Sequence, residues 1–310
     1  MPSSKPLKTE RRNPRSRGLD KKSTIEVLQL LNREDARVAS AVRRELPKIA
    51  RAVDAIVKAF GDGGRLFYVG AGTSGRLAVL DAAECPPTFG TKPRRVQAII
   101  AGGVKALRRS VEGAEDSTVA GARDLSSAGF SKRDVVVGIA ASGTTPYVLG
   151  ALKFAKRHGA ITVGVTSNVD SPLARQAQIA IVPDTGAEIV AGSTRLKAGT
   201  AQKMVLNLLS TAAMVRIGRV YEGWMVHVAL ANSKLRSRGV QILEEAADVN
   251  TTIAKRALKE ANYDLAVALV ALKSGATPSQ ARRALASADG NVRKAFESLS
   301  NPRRKLCSHC

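Results

Sequence analysis

Apolar residues in this chain fall into five short runs separated by longer stretches of helical period. The runs are Leu66–Val69, Val96–Ala101, Val135–Ala140, Ile161–Val165 and Ile179–Val182. Each is too short for a helix, and each is apolar without alternation, the pattern of a strand buried on both faces. Strands and helices therefore alternate, which predicts an α/β fold: a mostly parallel sheet flanked by helices. Ahead of the sheet, residues 23–60 read as helical. Their apolar stripe includes Ile25, Leu28, Leu31, Val38, Val42, Leu46, Ile49, Val53 and Ile56, and Pro47 divides it. After the sheet, Thr194 to about Lys255 reads as long, alanine- and leucine-rich helix. Three short helical segments follow between Tyr263 and Leu299. The predicted divisions are a basic arm (1–22), an α/β domain with N-terminal helices (23–256), a small three-helix appendage (257–300) and a basic tail (301–310) expected to be disordered.

Two strand-to-helix turns carry the candidate chemistry. After the first run come Gly70-Ala-Gly72-Thr73-Ser74-Gly75, then a helix expected to stop at Pro86-Pro87, just beyond Glu84. After the third come Ser142-Gly143-Thr144-Thr145-Pro146. A tight turn opening a helix offers unpaired N–H groups and the positive end of the helix dipole, a ready anion site. The hydroxyls of Thr73, Ser74, Ser142, Thr144 and Thr145 add donors. In an open parallel sheet two such turns converge beyond the carboxyl ends of the strands, where ligands bind. The pair points to a phosphorylated small molecule.

Gly70, Gly72 and Gly75 also spell G-x-G-x-x-G, the dinucleotide fingerprint. That site expects a carboxylate at the end of the second strand. Gly102-Gly103 stand there instead, and the Gly-Lys-Ser/Thr of a nucleotide-hydrolase loop is absent too.

The net charge of +23 raises a nucleic-acid reading. Residues 1–22 hold eight Lys/Arg against two acids, and the rest of the excess is spread along the chain. With only 4% aromatic residues, stacking platforms for single strands are scarce, and no nucleic-acid motif is present. A basic surface that steers an anionic substrate fits better, and no specific nucleic-acid partner is expected. No apolar run reaches membrane length and no leader pattern opens the chain, so a cytoplasmic protein is expected. Cys85, Cys307 and Cys310 do not form a disulfide framework. Cys307-Ser-His309-Cys310 is only half of a zinc site, so no metal is expected, and His158 and His227 read as structural.

Several blocks resemble a known family. They are Thr9-Glu-Arg-Arg-Asn13-Pro, Gly70–Arg76, Asp81-Ala-Ala-Glu-Cys-Pro-Pro87, Val111-Glu-Gly-Ala-Glu115-Asp and Gly192-Ser-Thr-Arg-Leu-Lys-Ala-Gly-Thr-Ala-Gln-Lys203. Together they are similar to the N-acetylmuramic acid 6-phosphate etherases, sugar-isomerase (SIS) domain proteins, over about residues 8–299. The resemblance implies a Rossmann-like SIS sheet with a UBA-like C-terminal subdomain. It also implies cleavage of the D-lactyl ether of N-acetylmuramic acid 6-phosphate, with water as the only co-substrate and no cofactor. By the same resemblance Glu84 and Glu115 are catalytic. Gly72, Thr73, Ser74, Gly75, Ser142, Gly143, Thr144, Thr145, Ser193 and Lys197 would bind substrate, and the chain would form a homodimer. Two places depart from the family pattern. Thr144 stands where an arginine is usual, leaving Lys197 or Arg195 to supply a cation. Val220–His227 also replaces a Gly-Asn-Leu-Met-Val-Asp segment.

The chemistry is compatible with two carboxylates. Breaking an ether at C3 beside the acidic C2 proton of an open-chain aldehyde needs a base at C2 and an acid at the departing oxygen. By the resemblance, Glu84 is expected as the acid and Glu115 as the base. An unbroken helix from Ser74 to Glu84 would separate them by about 15 Å, roughly twice the reach from a sugar's 6-phosphate to its C3 oxygen. Glu84 would then act in a neighbour's site. Three other readings stay open: a non-catalytic sugar-phosphate sensor of the glucokinase regulatory protein type, an aldose–ketose isomerase, and a salt-sensitive nucleic-acid binder.

Overall fold

The computed structural model describes residues 7–300. The Cys307/Cys310 motif and the tail lie outside them. The chain forms two compact units. One is built on residues up to Ala83 together with Pro93–Ala212, the other on Glu84–Lys92 together with the residues from Ala213 on.

The first unit holds the sheet. Strands β1 (Leu66–Gly70), β2 (Val96–Ile100), β3 (Val135–Ile139), β4 (Ile161–Val165) and β5 (Ile179–Ile181) are all parallel, in the order β2-β1-β3-β4-β5. Each matches its apolar run to within a residue, and β1 and β3 are buried throughout. The chain steps from β1 outward to β2, then crosses back to place β3 on the other side of β1. The strand order therefore reverses between β1 and β3, and a crevice opens there at their carboxyl ends.

The N-terminal helices are α1 (Thr24–Asp35), α2 (Val38–Arg43) and α3 (Leu46–Gly61). Ser23 and Glu26 start α1 with a capping box, and Pro47 sits in the first turn of α3, where its missing N–H costs nothing. α3 packs on the sheet through Ile49, Val53 and Ile56. The expected stripe fails on α1. Ile25 and Leu28 are 59% and 55% exposed, and the residues buried are Leu30 and Glu34. The helix is rotated to bring Glu34 inward to an ion pair described below.

α4 (Gly72–Phe89) also departs from expectation, for Pro86 and Pro87 lie inside it. Proline at the last turn removes hydrogen bonds without blocking the helix path. The stop comes at Gly90, whose φ is +60° and whose N–H returns to the Pro86 carbonyl. On one face of the sheet α5 (Thr118–Ser127) and α6 (Pro146–Arg157) close over Phe67, Val69 and Val136 through Leu125, Tyr147, Val148 and Leu152. α7 (Pro172–Gln176) and α8 (Lys197–Arg216) complete this part of the chain.

The second unit is helical: α9 (Ser233–Ala247), α10 (Thr251–Glu260), α11 (Leu265–Ser274), α12 (Pro278–Ser287) and α13 (Val292–Ser300). α11 is central, buried from Leu265 to Val270. The expected continuous helix from Thr194 to Lys255 is broken at residues 217–232. Gly218, Glu222 and Gly223 there adopt positive φ, and Tyr221 pairs with Trp224 in a tight turn. His227 lies in this irregular segment, not in a helix, and its ring Nε2 is 2.7 Å from the Gly290 carbonyl. The division after Ala212 falls well before the expected 256/257 boundary. Tyr221, Val226, Val228 and Leu230 belong to the same core as α9–α13, which draws the whole segment into the second unit.

Candidate functional site

The first turn joins β1 to α4 across the crevice. Gly75 is required by contact: a Cβ there would lie 2.9 Å from the Gly70 carbonyl and 2.5 Å from Ile100. Only glycine lets α4 start this close to the sheet, with its free N–H groups over the crevice. Ser74 is buried, and its Oγ lies 2.9 Å from Gln202 Oε1. The Nε2 of the same amide is buried without a partner. The Ser74 hydroxyl is the donor in this bond, which fixes its orientation at the start of α4.

The second turn joins β3 to α6. Gly143 has φ +72°, and a Cβ there would lie 2.2 Å from Ser171 Oγ. Asn168 Nδ2 donates to the carbonyls of Ala141 and Ser142, which braces the turn from the β4 side. Ser142 Oγ accepts from both the N–H and the hydroxyl of Thr144, at 3.2 and 3.0 Å. These two bonds do not use the Ser142 hydroxyl proton. Thr145 caps α6 without a side-chain bond, and Pro146 follows it.

Glu115 lies in a turn just ahead of α5, exposed, and its carbonyl accepts the Tyr147 N–H at 3.0 Å. That bond ties the segment carrying Glu115 to the first turn of α6, beside the second turn. Tyr147 is fixed in turn by its hydroxyl, which donates to Asp124 at 2.8 Å. Burial, then the Asp124 bond, push that phenol up.

Lys197 and Ser193 sit in the segment between β5 and α8. Ser193 is half-buried, with its N–H on the Val190 carbonyl. Lys197 is buried, and its ammonium is engaged: Nζ lies 2.5 Å from Glu34 Oε2 and 2.8 Å from the Ala187 carbonyl. Both side chains are 2% exposed. Arg15 and Asn13 also donate to Glu34. Burial alone would raise the Glu34 carboxyl, but these bonds hold it at about 2. The ammonium expected at a phosphate is thus committed to a structural pair. Lys197 fixes the start of α8, while Glu188 accepts the Lys197 and Ala198 N–H groups as its cap.

The first residues join the same framework. Thr9 is buried, its hydroxyl accepts from Asn168, and its carbonyl accepts the Gly192 N–H. The sequence reading missed Asn13, Glu34, Asn168, Glu188 and Gln202. The one available signal was Glu34 standing at a core position of the α1 stripe, four residues after Leu30 and four before Val38.

Glu84 lies on α4 and is exposed. Asp81, one turn earlier, is held by the hydroxyls of Tyr68 and Ser210, each at 3.0 Å. Burial raises its pKa against those bonds. Among the described residues no group of acidic, His or Cys side chains could hold a metal ion.

Two family models match this architecture: the glucokinase regulatory protein N-terminal SIS domain over residues 48–156, and the SIS domain over residues 117–212. The fold is that of the sugar-isomerase domain. Closer relatives narrow it. The chain is 50% identical to an N-acetylmuramic acid 6-phosphate etherase of Actinobacillus pleuropneumoniae, over 93% of this chain and 95% of that one. It is 50% identical to the same enzyme of Geobacillus thermodenitrificans, over 94% and 99%. Against that of Aeromonas hydrophila it is 51% identical over 92% and 95%. The chain belongs to the N-acetylmuramic acid 6-phosphate etherase family.

Proposed function

We propose that the protein removes the D-lactyl group of N-acetylmuramic acid 6-phosphate, giving N-acetylglucosamine 6-phosphate and D-lactate. The observation that carries this reading is the pairing of the two hydroxyl-bearing turns at the β1/β3 crevice with Glu115 bonded to the helix of the second turn. The phosphate takes N–H groups of α4 and α6 and the hydroxyls of Ser74 and Ser142. Glu115 removes the C2 proton of the open-chain sugar. The C3–O bond then breaks, its electrons leave on the lactyl oxygen, and Glu84 protonates that oxygen. Glu84 next takes a proton from water as its oxygen adds to C3, and Glu115 returns a proton to C2. The net change is hydrolysis, reached by elimination and addition, which makes the enzyme a carbon–oxygen lyase.

Helix α4 runs without interruption past Ser74 and Glu84. At 1.5 Å per residue this supports a homodimer in which Glu84 of one copy serves the turns of the other. The reading places the enzyme in the cytoplasm, acting on a free sugar phosphate without a cofactor. The decisive assay is enzymatic detection of D-lactate after incubation with N-acetylmuramic acid 6-phosphate. The match to a glucokinase regulatory SIS domain favours one other reading, a sensor that binds sugar phosphates without reaction. Saturable binding of the substrate with no lactate released would establish the sensor in place of the enzyme.

A further inference from the structure

The first unit carries two cationic cavities that share Arg37. With its flanking residues, helix α2 supplies part of the first cavity's cationic wall. Its buried side presents Val38, Ala41 and Val42. Arg37, Ser40 and Arg44 follow the spacing i, i+3, i+7, and the flanking Arg37 and Arg44 keep helical dihedrals, so the three share a face that flanks the buried one. That face forms one wall of a cavity of about 620 Å³, completed by Lys8, Arg11 and the Asp184–Ala187 turn. Four cations thus line it against a single carboxylate. Asp184 is already taken by Lys8, at 2.5 Å, and by the Gly186 N–H. Burial would raise its pKa, but those bonds and Arg44 lower it, so the carboxylate stays ionised. Thr185 also lines the cavity, buried, and its hydroxyl has no hydrogen-bond partner.

Arg37 is shared with a second cavity of about 700 Å³, lined also by Arg15, Lys22 and Arg33 and by one carboxylate, Glu26. Glu34 beneath them does not balance this charge. One carboxylate there serves Lys197, Arg15 and Arg37 together. Gathering like charges around a concavity costs energy, and an anion in the concavity recovers part of it. Arginine dominates the set, and its planar fork suits phosphate oxygens. No aromatic side chain lines either cavity, so nothing there stacks a nucleobase.

We propose that these joined cavities bind a small, phosphate-dense anion carrying at least two phosphoryl groups, at a site separate from the sugar-phosphate turns. The test is calorimetric titration of the full chain with inorganic tripolyphosphate at physiological ionic strength. One saturable site per chain is expected. The Arg37→Gln/Arg44→Gln double variant should weaken it about tenfold or more, the loss expected for two charge-assisted contacts. A control, Arg256→Gln/Lys259→Gln, removes the same charge from α10 and should leave binding unchanged. Ser142→Ala should also leave it unchanged. Arg44→Gln alone, on an exposed residue, supports the site with a smaller loss if the double variant does not fold. Equal weakening by the α10 control would show that only net charge is felt, and weakening by Ser142→Ala would move the anion to the sugar-phosphate turns. Displacement of tripolyphosphate by a tighter-binding single-stranded RNA would identify a nucleic-acid surface. Each of these, or the absence of saturable binding, overturns the proposal.

Discussion

The Tyr147 N–H donates to the Glu115 carbonyl at 3.0 Å, so the candidate base is held by the same helix turn that follows the second strand-to-helix turn. This arrangement depends on α5 and α6 meeting backbone to backbone. A Cβ on Gly121 would stand 1.9 Å from the Tyr147 carbonyl, and one on Gly150 would stand 2.0 Å from the Thr118 carbonyl. Gly121→Ala must therefore separate the helices, at a stability cost of roughly 1–3 kcal/mol. It should lower kcat more than it raises KM, because Glu115 shifts while the phosphate turns stay. Gly61→Ala, whose added carbon meets nothing within 4 Å, is the control. Normal kcat in a destabilised Gly121→Ala protein would show that Glu115 does not depend on this contact.

The second turn makes a separate prediction about phosphate. Ser142 Oγ accepts two bonds from Thr144, which leaves its proton for the ligand. Ser142→Ala should weaken substrate binding by roughly 1–3 kcal/mol. Activity on unphosphorylated N-acetylmuramic acid should already be very low and change little. Thr144→Val keeps the backbone donor and should have a smaller effect on KM than Ser142→Ala. Steady-state kinetics on both sugars decide the matter, and an equal loss on both would mean that Ser142 does not contact the phosphate.

The buried Glu34–Lys197 pair predicts acid sensitivity. Glu34 titrates near 2 in the folded chain, against an ordinary value of 4.5. A depressed folded pKa gives stability that is complete above the unfolded value and is lost as pH falls toward the folded one. The window therefore runs from about 4.5 down to 2, and the contribution is at most roughly 3 kcal/mol. Glu34→Gln should remove that pH dependence. It should also cost about 3–5 kcal/mol at neutral pH by leaving the Lys197 ammonium buried without its counter-charge. Adding Lys197→Met should recover part of the loss. Urea unfolding of the three proteins at pH 3, 5 and 7 measures both effects, and an unchanged acid slope in Glu34→Gln would remove Glu34 as its source.

The same pair marks where the sequence stops being readable. The strands were legible because a doubly buried strand needs an uninterrupted apolar run, and Val135–Ile139 has no other use. The two turns were legible because hydroxyls and glycines between a strand and a helix have a local reason to be there. The partner of Lys197 was not, because Glu34 lies 163 residues away and only the folded chain brings them together. Glu34 turns inward to that partner, and Ile25 and Leu28 are left exposed against their periodicity. Pro86-Pro87 misled for a local reason: proline weakens the turn before it and does not stop the residues after it, so α4 runs on to Phe89 and ends at Gly90. Glu115 illustrates the opposite limit. Its side chain is an ordinary exposed carboxylate, and what singles it out is the bond from Tyr147, thirty-two positions along the chain.

The length of α4 bears on whether Glu84 acts in the site of its own chain or in that of a second copy. Because α4 is continuous from Gly72 to Phe89, no break between Ser74 and Glu84 brings Glu84 back toward the turn. Glu84→Gln should abolish lactate release while sparing the fold and sugar-phosphate binding, since the amide is nearly isosteric but cannot deliver the proton. Ser74→Trp should block the first turn sterically and leave Glu84 in place. If each site takes its turns from one copy and its acid from the other, the two inactive proteins complement each other. A mixed dimer then holds one site with both defects and one site with neither. After subunit exchange of equal amounts, about half the dimers are mixed and each carries one intact site, so activity should return to roughly a quarter of the wild-type value per chain if association is random. Fluorescence transfer between labelled subunits verifies exchange independently of activity. Exchange without recovered lactate release would place Glu84 and the phosphate turns of each site within a single chain, and the reach estimated from the helix would then be wrong.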